Sequence, residues 1–254
     1  MGSKDKFDII FYYSGIPLPA MLEVVDCASK NGKKCLLLID DRGTADLKID
    51  KSLVSYEVRY LNVSCGSAFT RLLNLAKLIP RIFQIICGEL KTSGLVMSSN
   101  FDTLFKVFLV SFVKKFEIRH QIRDLHPLQL SSTFFAKTIQ MVERVMLKRV
   151  SMLMVSSKGF FDSYYSKIYD GEMIVLENIP RSDVWKGFEK KRFKSNELII
   201  GFIGIIRYKR SILKLIKAVE SLSKKGLNVK VKFAGGSLGD DLRDITSNIS
   251  DMSL

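Results

Sequence analysis

The chain has 254 residues, 47% of them hydrophobic and 26% charged, a balance that excludes a disordered chain and leaves room for one large domain or two smaller ones. Forty Lys and Arg against 26 Asp and Glu give a net charge of +14, which favours an anionic partner: nucleic acid, acidic lipid or a phosphorylated ligand. Cys27, Cys35, Cys65 and Cys87 lack metal-like spacing, and only His120 and His126 could supplement them; no metal site is expected, and the cysteines read as reduced thiols of a cytoplasmic protein.

The polar opening MGSKDK runs into FDIIFYY (7–13), which predicts a buried strand rather than a signal peptide. SGIPLP turns the chain, and Leu18, Met21, Leu22, Val25 and Ala28 recur at helical spacing until Asn31-Gly32. CLLLI (35–39) follows as a second strand. Strand, helix and strand in this order form a βαβ unit, which implies a parallel sheet covered on both faces. The alternation continues with strands at 55–61, 94–98, 116–122, 151–156 and 172–176, and helices at 67–88, 101–114, 132–149 and 157–166. A doubly wound, Rossmann-like α/β domain over 1–181 is expected.

Residues 182–197 are polar, basic and aperiodic, and read as a solvated linker. The βα pattern restarts with LIIGFIG (198–204), a loop IIRYKR, a helix over 211–226 with Ser211 as its N-cap, and a strand over 228–236. A last helix is expected to start near Asp240. Two strands are too few to bury both faces of a parallel sheet, so residues 198–254 look like an incomplete second Rossmann-like domain.

The positive charge is concentrated in two zones, net +6 over 103–150 and net +11 over 181–232. The first covers helices rich in Phe, Leu and Lys. Its cations are either the solvated face of core helices or the contact of an anionic membrane surface. No helix-turn-helix, RNP aromatic pair or GXXG loop is present, so nucleic acid is not expected as a partner. No run of 18 uncharged apolar residues predicts a membrane span.

GxGxxG after the first strand, Walker A and GxSxG are all missing, which removes most dinucleotide, P-loop and α/β-hydrolase readings. The chemistry-bearing segment is 198–236. A strand ends at Gly204, the loop carries Arg207, Lys209 and Arg210, and a helix follows. Free helix N–H groups beside forked cationic donors suit a diphosphate, and Gly235 would place a second accessible loop at the same sheet edge. An ordinary basic loop with turn glycines fits the same residues.

This segment resembles the opening of the C-terminal domain of GT-B glycosyltransferases, in particular the family 4-like enzymes of bacterial surface polysaccharide synthesis. ERVMLKRVSMLMVSSKGFF (143–161) is similar to the segment closing their N-terminal domain. IVLENIP (174–180) is similar to their strand and turn before the linker, and EIRHQIRDLHP (117–127) to an E-x-R-D-L-W-P segment of some members. The resemblance covers most of the chain in order. It implies a GT-B-like fold and transfer of a sugar, in the cleft between two domains, from a UDP-linked nucleotide-sugar to a saccharide or lipid-linked saccharide. It also implies peripheral attachment at the inner membrane face and no cofactor beyond the donor substrate. On the donor side it points to Gly204, Arg207, Lys209, Arg210 and Gly235; Gly15, in the first βα loop, would permit close approach of donor or acceptor, with a plain turn glycine as the alternative. Ile205 stands where the family carries Arg, and Arg210 where it carries Lys. On the acceptor side it points to Asp124 and His126, with a capping Asp and a turn His as the alternative. The family's Glu-x7-Glu pair has no counterpart before Leu254. Roughly 100 residues of donor domain are therefore expected to be missing, and little independent activity is expected. A non-catalytic membrane- or partner-binding remnant is the competing expectation.

Overall fold

The structure, a computed structural model, describes residues 6–15, 17, 19–41, 49–63, 68–177, 197–203 and 209–234. The chain divides into two compact units, Met1–Lys186 and Gly187–Leu254.

The first unit is an α/β sandwich around a seven-stranded sheet. Its strands are β1 (Phe7–Ser14), β2 (Cys35–Asp41), β3 (Glu57–Asn62), β4 (Leu90–Ser99), β5 (Glu117–Ile122), β6 (Met152–Val155) and β7 (Glu172–Val175). Their order is β3-β2-β1-β4-β5-β6-β7, and every pair is parallel. The chain therefore builds outward from β1 in one direction, then returns to the other side of β1 at β4 and builds the opposite way. Parallel strands need crossovers; helices α1 (Pro19–Lys30), α2 (Ala68–Glu89), α3 (Phe101–Val110), α4 (Pro127–Leu130), α5 (Phe134–Leu147) and α6 (Lys158–Ser163) lie in them, except between β2 and β3, where the described residues hold a 3-10 turn at Lys51–Leu53.

Alternation along the strands divides the core in two. Ile10, Tyr12, Leu36, Leu38, Val96, Ile118 and Leu153 face one way, beneath Ile82 and Ile86 of α2, Leu104 and Val107 of α3, and Met146 of α5. Phe11, Tyr13, Leu37, Ile39, Met97 and Met154 face the other way, with Met21 and Val25 of α1. Central strands buried on both faces read as the continuous apolar runs FDIIFYY and CLLLI, as the sequence predicts.

The expected α/β class and doubly wound sheet are present. Several bounds differ from the prediction; the helix expected over 101–114, for one, ends at Val110. β4 starts at Leu90, not 94, because the register with β1 slips between Phe7–Leu90 and Ile9–Leu95. The chain from 123 to 133 adds the short helix α4 ahead of α5. Tyr165–Lys167 closes the α6 region as a 3-10 turn.

The second unit has the strands β8 (Leu198–Ile203) and β9 (Val229–Ala234), paired in parallel, and helix α7 (Lys209–Lys224). Ile212 and Ile216 pack on Phe202 and Phe233. Helix α7 starts at Lys209, so Ser211 lies in its first turn and is not the predicted N-cap; Lys and Arg are strong helix formers and extend the helix past it. Among the described residues no helix is long and apolar enough to cross a membrane.

The slipped start of β4 depends on Gly94. A Cβ there would lie 2.6 Å from the side chain of Leu90 and 2.9 Å from the carbonyl oxygen of Lys91. Gly94→Ala is expected to destabilise the unit by about 1–3 kcal/mol, read as a Tm several degrees lower in a thermal melt.

Candidate functional site

In doubly wound sheets, ligands bind beyond the carboxyl ends of the strands where the order reverses. Here that place lies between β1 and β4. β1 ends at Ser14 and Gly15. Gly15 has φ +79°, a left-handed conformation that favours glycine, and its N–H donates to the Asp40 carbonyl at 3.1 Å. Among the described residues no heavy atom lies within 4 Å of where its Cβ would be.

Ser14 joins three elements. Its hydroxyl donates to Asp102 Oδ2 in the first turn of α3 at 2.9 Å. Its carbonyl accepts from Asn100 Nδ2 at 3.5 Å and from Arg123 Nη2 at 3.4 Å. Asn100 precedes α3 with φ 71° and makes no side-chain cap to the helix; its amide reaches across to β1 instead. The Arg123 guanidinium also lies 5.7 Å from the centre of the Tyr13 ring. Asp102 and Arg123, both partly exposed, thus bring one carboxylate and one guanidinium to the edge beside Gly15.

A buried polar layer supports this edge. Lys106 of α3 donates to Tyr12 Oη at 2.7 Å and is paired with Asp40, while Tyr12 donates to Asp40 Oδ1 at 2.8 Å. The Lys106 and Asp40 side chains are 3% and 2% exposed. Burial raises the Asp40 carboxyl above its usual range, against the opposing pull of Lys106. His120 Nδ1 lies 2.9 Å from Ser98 Oγ, and burial pushes its imidazole down to about 4, so the ring is neutral at pH 7. Tyr13 donates to Gln121 Oε1 at 2.6 Å. Ser99 Oγ, between them in the sheet register, is buried and has no partner among the described residues.

The predicted acceptor-side residues lie at this same carboxyl edge. Asp124 follows Arg123 and is exposed. His126 is the N-cap of α4: its Nδ1 accepts from the Leu128 N–H at 3.2 Å, and its own N–H donates to Gln129 Oε1 at 2.7 Å. With Nδ1 accepting, the neutral ring carries its proton on Nε2. The opposite end of Gln129 donates to Glu143 Oε1 and to Tyr165 Oη, each at 2.7 Å. Glu143 is buried in α5 and accepts from Tyr164 and Tyr165 as well. Burial raises its carboxyl, and these three donors oppose the shift. Gln140 of α5 donates to the carbonyls of Leu128, Gln129 and Ser131. The 124–131 segment is therefore fastened to α5 rather than hanging as a loop.

The donor-side candidates divide. Gly15 sits at the strand reversal. Lys209 and Arg210 occupy the first turn of α7, in the second unit, and their side chains lie outside the described residues. Gly204, Arg207 and Gly235 lie outside them altogether. Among the described residues no group of His, Cys, Asp and Glu is arranged to hold a metal ion. Sequence reasoning passed over Ser14, Asn100, Asp102 and Arg123. Their common signal is position: each ends a strand, directly follows one or opens the next helix at the carboxyl edge of β1, β4 or β5.

No protein-family model and no curated protein matches the chain. Solved structures do. The chain is 17% identical to Anabaena HepE in complex with UDP and glucose, covering 95% of this chain and 65% of that one, with a TM-score of 0.59. It is 11% identical to an E. coli trehalose-6-phosphate protein bound with UDP-2-fluoro glucose (94% and 68% covered, TM-score 0.63). It is 10% identical to the catalytic domain of Arabidopsis thaliana starch synthase IV bound to ADP and acarbose (96% and 71% covered, TM-score 0.59). These similarities establish a GT-B-like fold for the chain.

Two outcomes test the buried layer. Lys106→Met leaves the Asp40 carboxylate buried without its cation and is expected to cost about 3–5 kcal/mol in urea unfolding; adding Asp40→Asn should restore most of that loss. For His120, the folded pKa lies below the ordinary value of 6.5, so its contribution to stability is complete above pH 6.5. It is lost as pH falls towards 4, by up to about 3 kcal/mol. Asp40 and Glu143 titrate with the opposite sign, so the measurement is the difference between the natural chain and His120→Asn at pH 7 and pH 4.5.

Proposed function

We propose that the chain takes part in sugar transfer from a nucleotide-sugar, UDP-linked, to a saccharide or lipid-linked saccharide acceptor in polysaccharide biosynthesis, at the cytoplasmic face of a membrane. The polar edge at the β1–β4 reversal carries this reading. It sets the Arg123 guanidinium and the Asp102 carboxylate on Ser14, next to the Gly15 turn, with exposed Asp124 and His126 following after β5, on a fold shared with solved structures that hold UDP, ADP or a UDP-sugar.

In the proposed reaction the first unit presents the acceptor-side groups. The acceptor oxygen forms a bond to the anomeric carbon, the bond from that carbon to the diphosphate oxygen breaks, and the nucleoside diphosphate leaves. Asp124 takes the proton of the acceptor hydroxyl. His126, with its proton on Nε2, orients the acceptor as a hydrogen-bond donor and is not the base. Asp102 and Arg123 hold sugar hydroxyls beside Gly15. The second unit presents the donor side. Arg207, Lys209 and Arg210, with the N-terminal turn of α7, stabilise the charge that develops on the leaving diphosphate. Gly204 and Gly235 let the donor approach the backbone.

Titration calorimetry of the full chain with UDP-glucose and other UDP-sugars tests the donor side. Saturable binding is expected, weakened roughly tenfold or more by Arg207→Ala through the loss of charge-assisted hydrogen bonds. If no UDP-sugar binds saturably, the non-catalytic remnant becomes the better description. Asp124→Asn should leave donor binding unchanged and lower transfer to a saccharide acceptor.

A further inference from the structure

The Glu143 carboxyl of α5 is 1% exposed, yet three donors converge on it. A buried carboxylate adds little net stability, because desolvation offsets the gain from its partners. Its bonds therefore point to a task beyond stability. Oε2 accepts from the Tyr164 hydroxyl at 2.8 Å, and Oε1 accepts from Tyr165 at 3.1 Å and from Gln129 Nε2 at 2.7 Å. The last bond decides which way the Gln129 amide is turned. Its nitrogen meets Glu143 and Tyr165 Oη, so its oxygen meets the N–H of His126. An ionised carboxylate only accepts. The reverse amide orientation would set oxygen against oxygen at Glu143 and N–H against N–H at His126.

His126 is held from both sides. Pro127 restricts it to extended backbone, with φ −73° and ψ 141°. Its Nδ1 accepts from the Leu128 N–H at 3.2 Å, a bond that lasts only while the first turn of α4 stays closed. Gln140, one turn earlier than Glu143 on α5, holds the other end of α4 through the carbonyls of Leu128, Gln129 and Ser131. His126 itself is exposed, and with Nδ1 occupied its proton stays on Nε2, where an acceptor oxygen can meet it. We propose that Glu143, acting through Gln129, is a positioning residue for His126. It fixes the ring as an Nε2–H donor and holds it, with Asp124 just before it, at the carboxyl edge of β5. The inference rests on the sugar-transfer reading and names the residues that set the acceptor's hydrogen-bond donor in place.

Exchanging the two groups tests it in the full chain. Gln129→Glu alone sets two carboxylates against each other. Gln129→Glu with Glu143→Gln restores each bond with donor and acceptor reversed: the carboxylate at position 129 still caps the His126 N–H, as Glu does in an ordinary capping box, and the amide at position 143 donates to it while accepting from Tyr164. Two measurements need no sugar: the ring ¹⁵N signals of His126 and hydrogen exchange of the Leu128 amide. The natural chain is expected to show Nε2 protonated and Nδ1 as acceptor. Gln129→Glu should mix the two ring forms and speed Leu128 exchange roughly fivefold, the worth of one cap, and the exchanged pair should return both to the natural values. Gln129→Met buries no charge and should act like Gln129→Glu. In transfer assays, Gln129→Glu should raise the acceptor KM roughly fivefold and leave the donor KM unchanged, with recovery in the exchanged pair. Met141→Ala, on the exposed side of α5 with Phe134, Lys137 and Lys148, should change none of these. Three results would overturn the proposal: natural His126 and Leu128 signals in Gln129→Glu and Gln129→Met, no recovery in an exchanged pair with a natural circular dichroism spectrum, or an equal loss in Met141→Ala. If no sugar is transferred at all, the sugar-transfer reading fails alone, and the ring and exchange signals still decide whether Glu143 positions His126.

Discussion

The ammonium of Lys106 ties α3 to strands that its own chain connections do not reach. The helix follows β4, yet Lys106 bonds Tyr12 on β1 and Asp40 on β2. Desolvation offsets much of the attraction between the two charges, and apolar burial in the two cores supplies the bulk of the stability. The ion pair therefore contributes mainly position. It selects the turn of α3 that lies over the reversal of the sheet, and so where Asp102, one turn earlier, meets Ser14.

With α3 placed, the carboxyl edge follows. The strand ends of β1, β4 and β5 meet at one residue, Ser14, through Asp102, Asn100 and Arg123. Beneath them Ser98–His120 joins the neighbouring strands β4 and β5, and Tyr13–Gln121 reaches from β1 past β4 to β5. Apart from Ser99 Oγ, these polar groups are each held by a partner on another element, which keeps the side chains at the rim in fixed orientations before any ligand arrives. The Asn100 backbone is part of the same arrangement: a left-handed residue without glycine's freedom carries strain, and it persists because the amide is held across the strand reversal.

The strands and crossover helices were legible in the sequence because apolar period and turn residues report local geometry. FDIIFYY and CLLLI read as fully buried strands, and they are. The buried polar layer was not legible in the same way. Lys106 stands in the apolar run FDTLFKVFLV and reads there only as an interruption. Its partner Asp40 is 66 residues away, a distance no spacing rule covers. Of the candidate site, Gly15 was visible as the glycine of the first βα loop, and Asp124 and His126 through a resemblance. Ser14, Asn100, Asp102 and Arg123 become legible only when the strand order is known, because their common property is nearness to one reversal. The start of α7 was misplaced because Ser211 has the chemistry of a cap, yet the preceding Lys and Arg favour the helix itself.

Helix α5 serves two masters. Gln140 and Glu143 look inward and hold α4, and with it the 124–126 segment, through Gln129. Phe134, Lys137, Met141 and Lys148 look outward and touch none of that network. Substitutions on the two sides are therefore separable. The outer surface can drift in hydrophobicity and charge across related chains, retuning what the protein meets, while the inner side keeps the carboxyl edge in register. A change at Gln140 or Glu143 has no such freedom, since it loosens α4 at several bonds at once.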